Sequence, residues 1–175
     1  MINILKRIFS IRKEPMLKEP EIIPEKPIIP VYAGDIPLEQ WIYRWPNLRI
    51  DQFNNFEKME LVIIDMLERM LKYCSSMGLQ HKINSDYRTG DTGTHGKGKA
   101  IDLVLYKKVL GDFHWLYQFH IALRFDFTGI GVYPCWNTPG LHVDNRDTKL
   151  PKALWWRDKD NAYRRMEEIL EVIKS

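Results

Sequence analysis

His95-Gly96-Lys97-Gly98-Lys99-Ala100-Ile101-Asp102 is the stretch on which the reading of this chain turns. It links an imidazole to a carboxylate through a glycine-rich turn and passes from loop to strand. Residues Ala100–Tyr106 alternate and carry β-branched side chains, which predicts a strand with Ile101, Leu103 and Leu105 on one face. Asp102 then falls on the opposite face. Glycine at 96 and 98 allows a close return of the chain, so His95 and Asp102 can reach one ion.

Outward from this stretch lie Ser85-Asp86-Tyr87-Arg88 before it and Leu141-His142-Val143-Asp144 after it. The second reads as a short strand. Its period of two puts His142 and Asp144 on one face while Leu141 and Val143 point into the core. His95, Asp102 and His142 together supply two imidazoles and one carboxylate. A catalytic zinc site is built from three such ligands and an open fourth position. Asp144 sits beside a ligand, where three roles stay open: orienting it, taking a proton from water, or coordinating.

The remaining elements follow from periodicity. Phe56, Met59, Val62, Ile63, Met66, Leu67, Met70 and Leu71 recur at helical spacing and predict a helix over Asn54–Ser76, capped by Asp51 or Asn54 and ended by Gly78. A strand is expected near Lys82–Asp86, then a loop from Thr89 to Gly98. A second helix is expected over Lys107–Phe125, strands at Ile130–Tyr133 and Leu141–Asp144 around a turn from Pro134 to Gly140, and a last helix over Asn161–Lys174.

Seven of the ten prolines (Pro15, Pro20, Pro24, Pro27, Pro30, Pro37 and Pro46) fall at the front of the chain, which divides it into three parts. Residues 1–13 read as an amphipathic segment suited to a membrane surface or an assembly partner, with a frayed end as the alternative. Residues 14–34 read as a proline-rich linker, and residues 35–175 as the folded domain. A chain of 175 residues with 45% hydrophobic residues is long enough to bury roughly 68–70% of its unfolded surface without staples. Two distant cysteines, Cys74 and Cys135, exclude a disulfide scaffold and read as free thiols. The net charge of +3 suits an anionic surface such as a cell wall and is too weak to argue for nucleic acid. Lys6, Arg7 and Arg12 interrupt the apolar start, so neither a secretory signal nor a membrane span is expected there.

In this order, Tyr87-Arg88, His95-x-x-Gly98-x-Ala100-x-Asp102, Gly129-x-Gly131-x-Tyr133 and His142-x-Asp144 resemble the zinc D-alanyl-D-alanine carboxypeptidase and endopeptidase family that acts on peptidoglycan. The resemblance runs from about Leu61 to Trp156. It implies an α+β fold with a small antiparallel sheet flanked by helices, shared with the Hedgehog signalling domain. It also implies His95, Asp102 and His142 as zinc ligands and Arg88 as the group that holds a substrate carbonyl or carboxylate, with Tyr87 beside it. Members carry a Glu three residues before the last His, or a His two before it. Those positions hold Pro139 and Gly140, so Asp144 is the candidate base by proximity.

Trp136 is the best placed of six tryptophans to line a groove for glycan or stem peptide, while the others suit packing. His114 and His120 fall in an apolar stripe and read as core or boundary residues, and His81 as a surface residue. Arg157-Asp158-Lys159-Asp160 reads as a solvated turn. The expected activity is zinc-dependent hydrolysis of an amide in the peptidoglycan stem peptide. Synthesis would be cytoplasmic, with action at the wall or periplasm, free or carried on a virion. The alternative is a non-catalytic module of a larger assembly that binds zinc and cell wall.

Overall fold

In the computed structural model, which describes residues 32–107, 111–112, 114–147 and 152–169, the strand expected at Ala100–Tyr106 is present as β2, Ala100–Lys107. Its neighbours are β1 (Gln80–Ser85) on one side and β5 (Gly140–Asp144) on the other. A short β3 (Gly111–Asp112) pairs with the far end of β2. Beyond β5 come β4 (Gly129–Tyr133), β6 (Ala153–Arg157) and β7 (Tyr163–Arg165), giving the order β1-β2-β5-β4-β6-β7. All pairings are antiparallel except β4 with β6. The fold is mixed α+β, and its seven-stranded sheet is larger than the small antiparallel one expected.

One face of this sheet is the core. Ile101, Leu103, Leu105, Leu141, Val143, Ile130 and Val132 are fully buried there, as their odd and even positions along each strand require. They form one cluster with α2 (Leu61–Ser76) and α3 (Trp115–Ala122), whose inward side chains include Ile63, Ile64, Leu67, Met70, Leu71 and Phe119. Each fully buried side chain of this kind contributes about 1.5–3 kcal/mol relative to exposure. Both helices pack on the core face, and among the described residues the opposite face of the sheet carries the site.

α2 ends as expected, with Gly78 at φ +68° and its N–H on the Ser75 carbonyl. Its start does not match the expected Asn54. Phe56–Lys58 form a single 3-10 turn and the helix begins at Leu61. Tertiary bonds take the backbone before it: the Met59 carbonyl accepts from Ala33 N–H, and Glu60 N–H donates to the Gly98 carbonyl. Asn54 N–H is bound to the Asp86 carboxylate and caps nothing. Val62, expected inside, is exposed at 51%.

The second helix is shorter than Lys107–Phe125, because Lys107 and Gly111 pair in the β2–β3 hairpin. A short apolar run does not separate strand from helix by periodicity. The helix starts after His114, whose Nδ1 accepts the Leu116 N–H at 3.3 Å, so this histidine is an exposed cap. His120 is exposed as well. Of the last expected helix, Tyr163–Arg165 is strand β7, reached through Asn161 at φ +62°. Helix is present over residues 166–169, and the remainder lies outside the described residues. β6 was not foreseen because Leu154, Trp155 and Trp156 are apolar on both faces and show no alternation. The turn at Arg157–Asp160 is present, tied by Asp158 to the N–H groups of Asp160 and Ala162.

α1 (Leu38–Arg44) precedes this core and buries Trp41. Ala33 is fully buried, so the packed unit begins by Tyr32, inside the stretch assigned to the linker. The amphipathic segment 1–13 and linker residues 14–31 lie outside the described residues. Cys74 is buried and Cys135 exposed, and both are free thiols. Burial pushes the Cys74 thiol up to about 12. No helix among the described residues is long and apolar enough to cross a membrane.

Candidate metal centre

The face of the sheet opposite the core brings together the two halves of the sequence pattern. Asp102 on β2 is the direct cross-strand partner of His142 on β5, and His142 in turn faces Gly131 on β4. His95 enters from above, in the 3-10 turn His95–Lys97 that ends at Gly98 with φ +69°. A side chain at Gly98 would be strained there, and its Cβ would lie 2.0 Å from the Lys58 carbonyl oxygen.

The three ligand atoms converge. His142 Nδ1 lies 2.9 Å from Asp102 Oδ1, and His95 Nε2 lies 3.3 Å from both His142 Nδ1 and Asp102 Oδ2. Metal–ligand distances near 2.0–2.1 Å in tetrahedral geometry place ligand atoms about 3.3 Å apart, so the spacing suits one small cation. All three residues are buried, and the group lies within metal-binding distance.

The outward nitrogens decide which atoms face the centre. His95 Nδ1 lies 2.6 Å from the Asp86 carbonyl, so Nδ1–H donates there and Nε2 presents its lone pair inward. His142 Nε2 lies 2.9 Å from Asp144 Oδ2, which turns Nδ1 inward. Asp144 is itself held by Arg146, whose Nε donates to Oδ1 and Oδ2 at 3.0 Å. Of the three roles open to Asp144, this geometry supplies the orienting one. Its carboxylate is wholly buried between the His142 ring and the Arg146 guanidinium and does not line the cleft.

Charge in the site is balanced by pairs. Burial opposes ionisation of Asp102, but hydrogen bonds from His142 and His95 outweigh it and hold the carboxyl well below its ordinary range. Asp144 behaves alike: burial is outweighed by His142 and Arg146, which lower it to about 2. Burial disfavours the charged form of His142, yet Asp102 and Asp144 on its two nitrogens raise it. Tyr133 donates its hydroxyl to Asp102 Oδ1 at 3.2 Å. Burial, with the Asp102 charge, drives that phenol far above its usual range.

Arg88 stands at the rim, half exposed. Its Nε donates to Ser85 Oγ at 2.7 Å and its Nη2 to Asp102 Oδ2. A cleft of about 520 Å³ opens over the centre, with Arg88, Asp91, Thr94, Tyr133, Trp155 and Tyr163 among its lining. The glycines of the Gly129-x-Gly131 motif make room for the side chains packed on β4. A Cβ at 131 would lie 2.2 Å from the Trp155 ring, and one at 129 would lie 2.3 Å from Asp144 Oδ1.

Trp136 lies outside this cleft: it stacks on Tyr133 with centroids 3.7 Å apart and lines a neighbouring one. Tyr87 packs its ring against the core and lines neither cleft. His81, taken for a surface residue, lies within β1, half-buried, with Nε2 3.1 Å from Gln52 Oε1. Arg146 and Tyr163 carry no site role in the sequence reading, Asp86 stands in the Ser85-Asp86-Tyr87-Arg88 stretch without a role, and Trp155 reads there as a packing residue. Arg146 follows Asp144 by the strand period and was open to a site role. Trp155 and Tyr163 reach the site through the β4–β6 and β6–β7 pairings, which no local pattern announces.

Compared with protein-family models, with curated proteins and with solved structures, this chain finds no match.

Proposed function

We propose that this chain is a zinc-dependent peptidase that hydrolyses an amide bond in the peptidoglycan stem peptide, with the Hedgehog-like architecture of the D-alanyl-D-alanine carboxypeptidase and endopeptidase family. The observation that carries the reading is the convergence of His95 Nε2, Asp102 and His142 Nδ1, with each imidazole's other nitrogen held by an acceptor. Two imidazoles and a carboxylate suit zinc, which would supply Lewis acidity for attack of water on an amide. His95, Asp102 and His142 would hold it.

The remaining groups have definite work. Arg88 commits two of its donors to Ser85 and Asp102 and turns a half-exposed guanidinium to the cleft, where it can stabilise an oxyanion or clamp a carboxylate. Tyr133 and Asp144 fix the orientation of Asp102 and His142. Trp155, with its ring centroid 5.2 Å from that of His142, covers the centre against bulk water. The net charge of +3 suits an anionic wall as partner, reached from the cell or from a virion.

The test is removal and return of the metal. Chelation is expected to abolish peptide release from purified peptidoglycan and zinc to restore it, while folded His142→Ala stays inactive. Full activity in that variant would sink the proposal.

One observation favours a second reading, a non-catalytic module that binds zinc and wall. Asp144 is locked in place away from the cleft, and Asp91, the one carboxylate lining the cleft among the described residues, accepts Gly93 N–H at 2.5 Å and faces Arg88. Pro139 and Gly140 supply no base. Zinc-dependent wall binding without released peptide would select this reading.

A further inference from the structure

The cleft beside the centre is larger than the one over it. At about 830 Å³ it is lined by Lys82, Asn84, Tyr106, Trp136, Asn137 and Thr138, and by Asp51, whose carboxylate is paired with Arg49. It lies on the same face of the sheet. Val104 and Tyr106 follow Asp102 at the strand period of two, about 7 Å per step, and Lys82 is the cross-strand partner of Val104. The stacked rings of Tyr133 and Trp136 separate the clefts, Tyr133 lining the first and Trp136 the second. On the β1 side, Asn84 of the second cleft adjoins Ser85, whose hydroxyl accepts from Arg88 of the first. Arg88 and the Tyr133–Trp136 stack therefore form a ridge with the metal centre on one side and open space on the other.

Most of the unengaged polar groups lie on the far side of the ridge, the Thr94 and Tyr163 hydroxyls being the exceptions over the centre. Over the centre, Arg88, Asp91, Tyr133 and Arg146 are all engaged in hydrogen bonds or ion pairs. In the second cleft, the side chains of Lys82, Asn84, Tyr106, Asn137 and Thr138 have no such partner among the described residues. Lys82 offers a cation, the amides and hydroxyls offer donors and acceptors for a peptide backbone, and Trp136 offers a ring edge backed by Tyr133. A substrate that ended at the centre would leave all of these unused.

We infer that the substrate continues across the ridge, as an acidic peptide segment whose carboxylate meets Lys82, and that the amide cut is an internal one. The chain is then an endopeptidase for cross-linked stem peptides and not a carboxypeptidase that trims a terminus. This rests on the function proposed above.

The experiment compares a cross-linked muropeptide dimer with a monomeric pentapeptide muropeptide. Zinc-loaded protein is expected to open the cross-link with kcat/KM at least about tenfold above release of the terminal residue from the pentapeptide. By calorimetry, the chelated protein is expected to bind the dimer about tenfold more tightly than the monomer. In Lys82→Ala and Trp136→Ala that ratio should fall toward one. The exposed position of Lys82 keeps the first variant folded if the second is not. Terminal release as fast as cross-link opening, or an affinity ratio unchanged in both variants, overturns the inference while leaving a zinc peptidase in place. If neither muropeptide is cut, the hydrolase reading fails. The affinity ratio then decides alone: one that depends on Lys82 supports the two-sided cleft, and one near unity in the native chain overturns it.

Discussion

Asp144 Oδ2 lies 2.9 Å from His142 Nε2, and the same carboxylate accepts the Arg146 guanidinium along its other edge. The contact joins two residues on one face of β5. It turns His142 Nδ1 toward the candidate centre, whereas His95, bound to a backbone carbonyl through Nδ1, presents Nε2. The centre is thus assembled by what each imidazole does with the nitrogen that faces away from it.

Asp144→Asn tests this relay. An amide can present its NH₂ to His142 Nε2 and release the ring from its fixed tautomer. Zinc affinity is expected to fall about 10–100-fold, measured by competition with a chelator. Unchanged affinity would show that Asp144 does not orient His142.

Arg88→Lys keeps the charge at the rim and removes the planar fork that spans Ser85 and Asp102. Under the proposed function, kcat/KM for the muropeptide should drop about 100-fold. Zinc affinity should change much less, since Arg88 is not a ligand. Parallel loss of both would assign Arg88 to holding Asp102 alone.

Gly131→Ala places a methyl 2.2 Å from the Trp155 ring. The ring must move, and the variant is expected to lose about 1–3 kcal/mol of stability in urea unfolding. Tryptophan emission should shift with it. A neutral substitution would mean that Trp155 is free to leave its place over His142.

His81 gives the fold a pH dependence of its own. Burial lowers its folded pKa from 6.5 to about 4, so the unfolded chain takes up the proton first as pH falls. Stability is complete above about 6.5, declines as pH drops toward about 4, and is flat below. The ceiling is about 3 kcal/mol, and the half-buried position of the ring reduces it to about 1–2 kcal/mol. Denaturation midpoints across this range are expected to flatten in His81→Asn. An unchanged slope would place the titration elsewhere.

Much of the site was legible in the chain because strand period is a local property. Once Ala100–Lys107 and Gly140–Asp144 are strands, Asp102 and His142 must leave the core face, and Leu103, Leu141 and Val143 must enter it. The Gly-x-Gly pair was legible as a pattern, and its reason was not: the space it leaves is filled by Trp155 and Asp144. The helix starts were misplaced where distant backbone competed, as at Met59, Glu60 and the β2–β3 hairpin.

By itself the sequence determined which side chains share a face, where the glycine-rich turn lets His95 approach, and which donor types are available for a cation. Those follow from backbone geometry and side-chain chemistry within a few residues. Only the tertiary structure decided that Asp102 stands opposite His142, that Asp144 is sealed between His142 and Arg146, and that a second cleft opens beyond Trp136. Strand order and the packing of aromatic rings bring together residues far apart in the chain, and no local period records them.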